Sequence, residues 1–90
     1  MEFEWDLTKA DANEEVHGVT FPEAATVFGD PLAITFTDTG HSVDEERYIT
    51  FGLSRFHQLL VVSHTHREGR TRIISARPMT RHERNIYEEG

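Results

Sequence analysis

The chain has 90 residues, of which 37% are hydrophobic and 28% are charged, with a formal net charge of −7 and no cysteine. This length provides one domain, residues 1–90, with one modest core, and the lack of thiols excludes disulfides, thiolate metal sites and cysteine nucleophiles. No apolar run reaches the roughly 20 residues of a membrane span, and the N-terminus lacks signal-peptide regions. We therefore expect a single cytoplasmic domain that makes no membrane contact.

The first third of the chain predicts a short strand and two helices. Residues 3–5 alternate apolar and acidic side chains, as a half-buried strand does. Residues 7–16 form a helix that Asp6 can cap at its start and Gly18 at its end. Residues 20–28 contain a capping box with proline in the first turn, followed by four apolar positions at helical spacing.

The rest of the chain predicts four consecutive strands and a last helix, with a polar loop over residues 38–45. The strands are expected at residues 32–37, 47–54, 58–66 and 71–77. The third of them is apolar on both faces and therefore central, and Gly52 in the second is a candidate bulge. A second capping box at residues 80–83 begins the helix. Short connections favour an antiparallel meander with the helices on one face or end, which is an α+β fold.

The charge is divided along the chain. Residues 1–46 contain twelve acidic residues and one lysine, a net charge of −11, whereas residues 47–90 contain eight arginines and four acidic residues, a net charge of +4. Six of the arginines and three of the six histidines lie between His64 and Arg84. An acidic chain with its cations in one stretch predicts a local anion site, and its acidity argues against non-specific coating of nucleic acid.

Strand alternation decides which of these side chains can converge. It places His64 and His66 on one face of the third meander strand, and it places Arg72 and Arg77 on opposite faces of the last strand. The hairpin turns at residues 68–69, and its register is open by one residue, which exchanges the two faces. Whether His64 faces Arg72 or Arg77 therefore stays open.

These residue types suit RNA cleavage without a metal. A base accepts the 2′-OH proton, a cation stabilises the phosphorane, and an acid protonates the leaving 5′-oxygen. The available candidates are His64, Arg67, Arg72, Arg77 and Glu46. The structural alternative is a solvated hairpin whose arginines pair with acidic neighbours. For Arg77 that alternative is an ion pair with Glu83 or Glu46 that holds the last helix. His64 and His66 alone make only half of a metal site, so no metal is expected.

Two blocks of residues are informative together. The first comprises FEWD at residues 3–6 and HGVTFPEAATVF at residues 17–28. The second comprises ERY at residues 46–48, HT at residues 64–65, RIISAR at residues 72–77, and Arg81. Across nearly its whole length the chain resembles the BrnT family of type II toxins.

The resemblance implies a RelE-like α+β fold and a ribonuclease that arrests translation. It also implies a BrnA-type ribbon-helix-helix antitoxin that binds operator DNA and holds the toxin inactive, so that operator DNA is contacted only through the antitoxin. We accordingly expect the catalytic residues His64, Arg67 and Arg77, the RNA contacts Lys9, Arg72 and Arg81, and the candidate acid or base Glu46. No cofactor is expected.

Two other functions fit the same residues. One is a non-catalytic module that binds an antitoxin-like partner and tunes its operator binding. The other is an unrelated small domain that uses its arginines to bind carboxylate ligands. Slowed growth when the chain is expressed alone favours the toxin, and normal growth at confirmed soluble expression favours the binding module.

Overall fold

The computed structural model describes residues 1–41 and 45–90, which form one five-stranded sheet and three α-helices. The strands are β1 (Phe3–Glu4), β2 (Ile34–Thr37), β3 (Arg47–Leu53), β4 (Leu59–Arg67) and β5 (Arg70–Pro78). The helices are α1 (Leu7–His17), α2 (Phe21–Thr26) and α3 (Arg81–Glu89), with 3₁₀ turns at Val27–Gly29 and Thr39–His41. The remainder of the predicted polar loop, residues 42–44, lies outside the described residues.

The predicted helix caps are confirmed. Asp6 Oδ1 accepts a hydrogen bond from the Lys9 backbone N–H at 3.0 Å, and Gly18 ends α1 in the left-handed conformation at φ 70°. Thr80 and Glu83 exchange both hydrogen bonds of a capping box at the start of α3. Because these signals are local hydrogen bonds, they act wherever the segment is placed. None of the helices in the described part of the chain is long and apolar enough to cross a membrane.

The predicted antiparallel meander is confirmed, and the predicted short N-terminal strand, for which the sequence indicates no partner, is the fifth strand of the same sheet. The strand order is β1-β5-β4-β3-β2, with β4 in the centre as its two-sided apolar pattern predicted. The two-residue strand β1 pairs in parallel with β5, through Phe3 with Thr71 and Glu4 with Arg72. The N-terminus therefore joins the sheet edge, beside the arginine-rich strand.

The expectation that all helices lie on one face or end is wrong. Helices α1 and α2 cover one face, which we call the helix-pair face, over a buried core that includes Phe21, Leu60, Val62 and Ile73. Helix α3 covers part of the other face, the α3 face, where Val61 packs against Ile86 and Tyr87. The physical reason lies in β4, because its apolar residues on both faces need cover on both sides.

A bulge in β5 overturns the predicted alternation of that strand. Ser63 pairs with Ser75, but the next residue, His64, pairs with Ile73, so that Ile74 is the extra residue. Pairing then places Arg72 beside Thr65 and Arg77 beside Val61. Thr65 and Val61 are four residues apart on β4 and share a face. Arg72 and Arg77 therefore lie on the same face, the α3 face, and His64 faces neither of them.

Gly52 is a contact point and not a bulge. The pairing of β3 with β4 is regular through Gly52. A β-carbon at this position would lie 2.5 Å from Val27 Cγ1 and 3.3 Å from Ala33 Cβ. The glycine therefore allows the turn after α2 to approach the sheet closely.

Asn13 is a buried polar residue of α1, and it binds the edge of β5. Its Nδ2 donates to Ala76 O at 2.8 Å and to Val19 O at 2.9 Å, and its Oδ1 accepts from Ala76 N at 3.0 Å. The side-chain amide takes the place that a neighbouring strand would have beside Ala76. These bonds satisfy backbone groups that β1 is too short to reach.

Candidate active site

Four arginines lie on the α3 face, at the end of the sheet that the β4–β5 hairpin forms. They are Arg47, Arg67, Arg70 and Arg72, and we call them, together with Glu4, the arginine cluster. One row of paired residues crosses four strands: Glu4, Arg72, Thr65 and Arg47. Arg67 and Arg70 pair with each other in the next row towards the hairpin turn. Neighbouring strands lie about 4.8 Å apart and successive residues on one face about 6.8 Å apart. The guanidinium groups can therefore reach a common ligand.

Glu4 lies among three of these arginines. Its Oε2 accepts a hydrogen bond from Arg72 Nη1 at 2.7 Å, and its Oε1 lies 3.8 Å from Arg70 Nη1. The pKa of the Glu4 carboxyl is lowered, chiefly by the hydrogen bond from Arg72 and further by the charges of Arg67 and Arg70. Glu4 is therefore ionised at neutral pH, and it offsets only part of the positive charge.

A second carboxylate, Glu45, borders the cluster from the segment just before β3. Glu45 lies 3.6 Å from Arg67 and 3.9 Å from Arg47, measured between oxygen and nitrogen. The side chains of Arg67 and Arg70 are about half exposed, at 49% and 50%, so that solvent reaches both of them. Exposed ion pairs of this kind contribute little to stability. The pairs therefore leave the arginines available to an anion from solution.

His64 does not lie in this cluster. It lies on the helix-pair face with only 3% of its surface exposed. The imidazole packs edge-on against Phe28 and is stacked on Tyr48, with ring centroids 4.8 Å and 5.8 Å away. Its Nε2 is 2.7 Å from Thr50 Oγ1. Burial lowers the pKa of His64 to about 4, with a smaller effect from His66, so the ring is neutral at pH 7.

Glu46 lies at the start of β3, on the same side as His64. The Tyr48 hydroxyl donates to Glu46 Oε2 at 2.7 Å, and this bond, with burial, raises the pKa of Tyr48. His66 is exposed and contacts the Tyr48 ring edge-on at 5.6 Å. Glu46, Tyr48 and His66 thus form a small group that solvent can reach, whereas His64 lies beneath it.

Arg77 forms the ion pair that the structural alternative predicted. Its two terminal nitrogens donate to the two carboxylate oxygens of Glu83, each at 2.7 Å. Glu83 also accepts from the Thr80 backbone N–H, so the pair joins β5 to the capping box of α3. Arg77 is about 20 Å along β4 from Arg67, counted from their partner residues at the strand rise of 3.4 Å. The two arginines cannot bind one phosphate in this arrangement.

The two flanking cations lie apart from each other. Lys9 is exposed on α1 near Asp6, whose pKa is lowered by the Lys9 backbone N–H and also by the charges of Lys9 and Arg72. In the part of the chain that the structure describes, no hydrogen bond or ion pair joins Lys9 to the arginine cluster, which lies on the other face of the sheet from α1. Arg81 is exposed at the start of α3, close in sequence to the Arg77–Glu83 pair. Among the described residues, no group of three or more His, Cys, Asp or Glu side chains could hold a metal ion.

A family model described as "Ribonuclease toxin, BrnT, of type II toxin-antitoxin system" matches residues 5–83. The chain belongs to the BrnT family. The predicted resemblance is thus confirmed, and with it the assignment to the ribonuclease toxins of type II toxin–antitoxin systems. A search of curated proteins gave no significant match.

A solved structure has the same fold as this BrnT-family chain. The crystal structure of the Brucella abortus ribonuclease toxin BrnT is 20% identical in sequence and has a TM-score of 0.69. The match covers 90% of this chain and 99% of the Brucella chain. This similarity confirms the predicted α+β class and does not by itself locate a site.

Sequence reasoning missed three members of the cluster. Arg70 and Arg47 were not singled out, and Glu4 was assigned only to a strand. Charge density alone marks Arg70, since it lies between Arg67 and Arg72. Glu4 and Arg47 become visible only from the register of β1, β3 and β5, which no local pattern in the sequence specifies.

Proposed function

We propose that the chain is a metal-independent endoribonuclease that inhibits translation in the cytoplasm and is neutralised by a BrnA-type ribbon-helix-helix antitoxin. The observation that supports this proposal is the arginine cluster on the α3 face, where the side chains are partly exposed, in a chain of a ribonuclease toxin family. Operator DNA is contacted only through the antitoxin.

The arginine cluster supplies the charge stabilisation that a metal ion supplies in other nucleases. Guanidinium groups present several N–H donors in a fixed plane and bind two phosphate oxygens at once. Arg67 and Arg70 lie in one row and Arg72 in the next, so their donors can surround one phosphate. As the phosphorane forms, its added negative charge strengthens these contacts. We therefore assign the scissile phosphate to Arg67, Arg70 and Arg72.

The other expected site residues take supporting roles. His64 is buried and neutral, and it supports the Tyr48 ring from below. Arg77 is held by Glu83 and fixes α3. Lys9 and Arg81 are exposed, and we assign to them contacts with flanking phosphates of the RNA. Glu46 is a solvent-accessible carboxylate beside Tyr48, and it remains a candidate proton donor or acceptor.

The antitoxin is expected to cover the same arginine surface. Four arginines on a chain of net charge −7 make a local basic surface that acidic side chains of a partner can complement. Covering it blocks RNA and removes the exposed cations from solvent. Such a partner accounts for inhibition without any change within the toxin.

The experiment is an RNA cleavage assay with the purified chain in the presence of EDTA. Activity should persist with EDTA and fall by about 10²-fold in the double variant Arg67→Ala/Arg70→Ala, because contacts to the transition state are lost. The matched control is Arg55→Ala/Arg84→Ala, which removes the same charge away from the cluster and should stay within about threefold. Loss of activity with EDTA and its return with magnesium or zinc would contradict the metal-free mechanism.

Growth separates the ribonuclease from the binding module. Expression of the chain alone should slow growth, and co-expression of the neighbouring gene's product should restore it. Normal growth at confirmed soluble expression, with a stable complex between the two products, would identify the chain as a binding module.

A further inference from the structure

Glu4 contributes a carboxylate to the arginine cluster, at a position that solvent can reach. It comes from a two-residue strand, and its carboxylate points onto the face where Arg72 and Arg70 lie. Its side chain is 22% exposed, so solvent reaches it although Arg72 holds it. A hydroxyl group of a bound ligand can therefore approach this carboxylate.

We propose that Glu4 is the general base of the ribonuclease, which accepts the proton of the attacking 2′-hydroxyl. This inference rests on the proposed RNA cleavage and adds a catalytic residue to it. Glu4 Oε2 is fixed by the 2.7 Å bond from Arg72, whereas Oε1 accepts no hydrogen bond from the described residues. The bound oxygen orients the carboxylate, and the open oxygen is free to accept a proton.

The arginines bring the reacting groups to Glu4. Arg72 uses one terminal nitrogen for Glu4 and retains other N–H donors. A phosphate bound by those donors and by Arg70 would lie next to Oε1, within reach of the adjoining ribose 2′-hydroxyl. The carboxylate repels the phosphate, but Arg67, Arg70 and Arg72 leave the group of four with a net positive charge. The same guanidinium groups therefore position both the base and the phosphate.

The reaction is balanced as a transesterification. The 2′-hydroxyl proton passes to Glu4 Oε1 while the 2′-oxygen forms a bond to phosphorus. The bond from phosphorus to the 5′-oxygen breaks, and that oxygen takes a proton from solvent water. The products are a 2′,3′-cyclic phosphate and a 5′-hydroxyl, and Glu4 returns its proton to solvent. The hydrogen bond from Arg72 and the charges of Arg67, Arg70 and Arg72 keep Glu4 ionised. Asp6 is the acidic residue nearest to Glu4 along the N-terminal segment.

Glu4→Gln tests this role because glutamine still accepts a hydrogen bond from Arg72 but cannot accept the proton. The substrate is a pool of short single-stranded RNA of random sequence, and the same pool with 2′-O-methyl groups measures binding without cleavage. We expect kcat to fall by about 10²-fold or more, with binding of the methylated pool unchanged or tighter. The cleaved RNA should carry cyclic phosphate ends. Glu88→Gln, which removes one carboxylate from the exposed side of α3, is the matched control and should stay within about threefold.

Glu4→Asp separates loss of the carboxylate from loss of folding, because it keeps the carboxylate on a side chain that is one methylene shorter. It should retain more activity than Glu4→Gln at an equal melting temperature. A Glu4→Gln variant as active as the wild type overturns the inference and leaves the proposed function standing. Equal losses in Glu4→Gln and Glu88→Gln, or weakened binding of the methylated pool with a lowered melting temperature, also overturn it. A wild-type chain that cleaves no RNA overturns both the inference and the proposed function.

Discussion

Removing the Arg77 guanidinium should destabilise the fold, and the loss of cleavage should follow the loss of folded protein. Arg77 and Glu83 share two hydrogen bonds of 2.7 Å, and Glu83 also caps the start of α3. Arg77→Ala leaves the Glu83 carboxylate partly buried without its cation. Arg77→Lys keeps a charge but loses the planar pair of donors, so it should lie between alanine and wild type.

The expected loss of stability in Arg77→Ala follows from the lowered pKa of Glu83. The Arg77 hydrogen bonds are the main cause that lowers the pKa of Glu83 from its ordinary 4.5 to about 2. A shift of that size corresponds to about 3 kcal/mol. Part of it comes from Thr80, which the substitution leaves in place, and the Arg77 side chain is 41% exposed, so solvent screens the pair. We expect a loss of about 1–2 kcal/mol, which lowers the melting temperature of a domain this small by roughly 5–15 °C.

The pH dependence provides an independent check. Because the pKa of Glu83 is lower in the folded chain than in the unfolded chain, its stabilisation is complete above about 4.5 and is lost as the pH falls towards about 2. In Arg77→Ala, the free energy of unfolding should change less with pH between about 4.5 and about 2 than it does in the wild type. In a double-mutant cycle, Glu83→Gln should add little to Arg77→Ala, since both substitutions remove the same pair.

The assay measures thermal unfolding and RNA cleavage on the same preparations at a temperature where every variant is folded. Cleavage by folded Arg77→Ala should then remain within a few-fold of the wild type. Arg84→Ala, on the exposed side of α3, is the control and should change neither quantity. If Arg77→Ala melts like the wild type but cleaves about 10²-fold more slowly, Arg77 binds the transition state and our assignment to α3 is wrong.

Two further predictions concern the opposite side of the sheet. The pKa of His64 falls from 6.5 in the unfolded chain to about 4 in the folded one, so stability should drop as the pH is lowered from about 6.5 to about 4. Urea unfolding should show this fall in the free energy of unfolding in the wild type. If the same fall persists in His64→Gln, another group causes it. Gly52→Ala should cost about 1–3 kcal/mol, because the new methyl group would lie 2.5 Å from Val27 Cγ1. Thermal unfolding measures this cost, and a melting temperature equal to that of the wild type would contradict the close contact.

The elements that the sequence predicted well are those specified by local interactions. The caps at Asp6 and Thr80 depend on residues three positions away, and the central place of β4 depends on its own two apolar faces. β1 is different, because alternation at residues 3–5 predicted the strand but not its partner Arg72, which lies 68 residues away in sequence. Such long-range pairing leaves no local signal.

The candidate site shows the same division. The concentration of arginines predicted an anion site between residues 64 and 84, and Arg67 and Arg72 of that stretch lie in the arginine cluster. The bulge at Ile74 could not be seen, because adjacent isoleucines satisfy either phase of alternation. That single residue decides the face of Arg77. His64 was expected to transfer protons because imidazole suits that role, whereas its burial depends on Phe28, a distant residue in sequence.

The Asn13 side chain has a consequence for how copies of this protein can associate. On the β5 side, the sheet ends in a strand of two residues followed by a carboxamide bonded to Ala76. This side lacks the continuous row of free N–H and C=O groups that another chain needs for pairing. The β2 side presents four strand residues. An open-ended stack of sheets needs a free edge on both sides of every copy. Because β1 and Asn13 of the folded chain occupy the β5 side, such a stack would first require them to detach from β5.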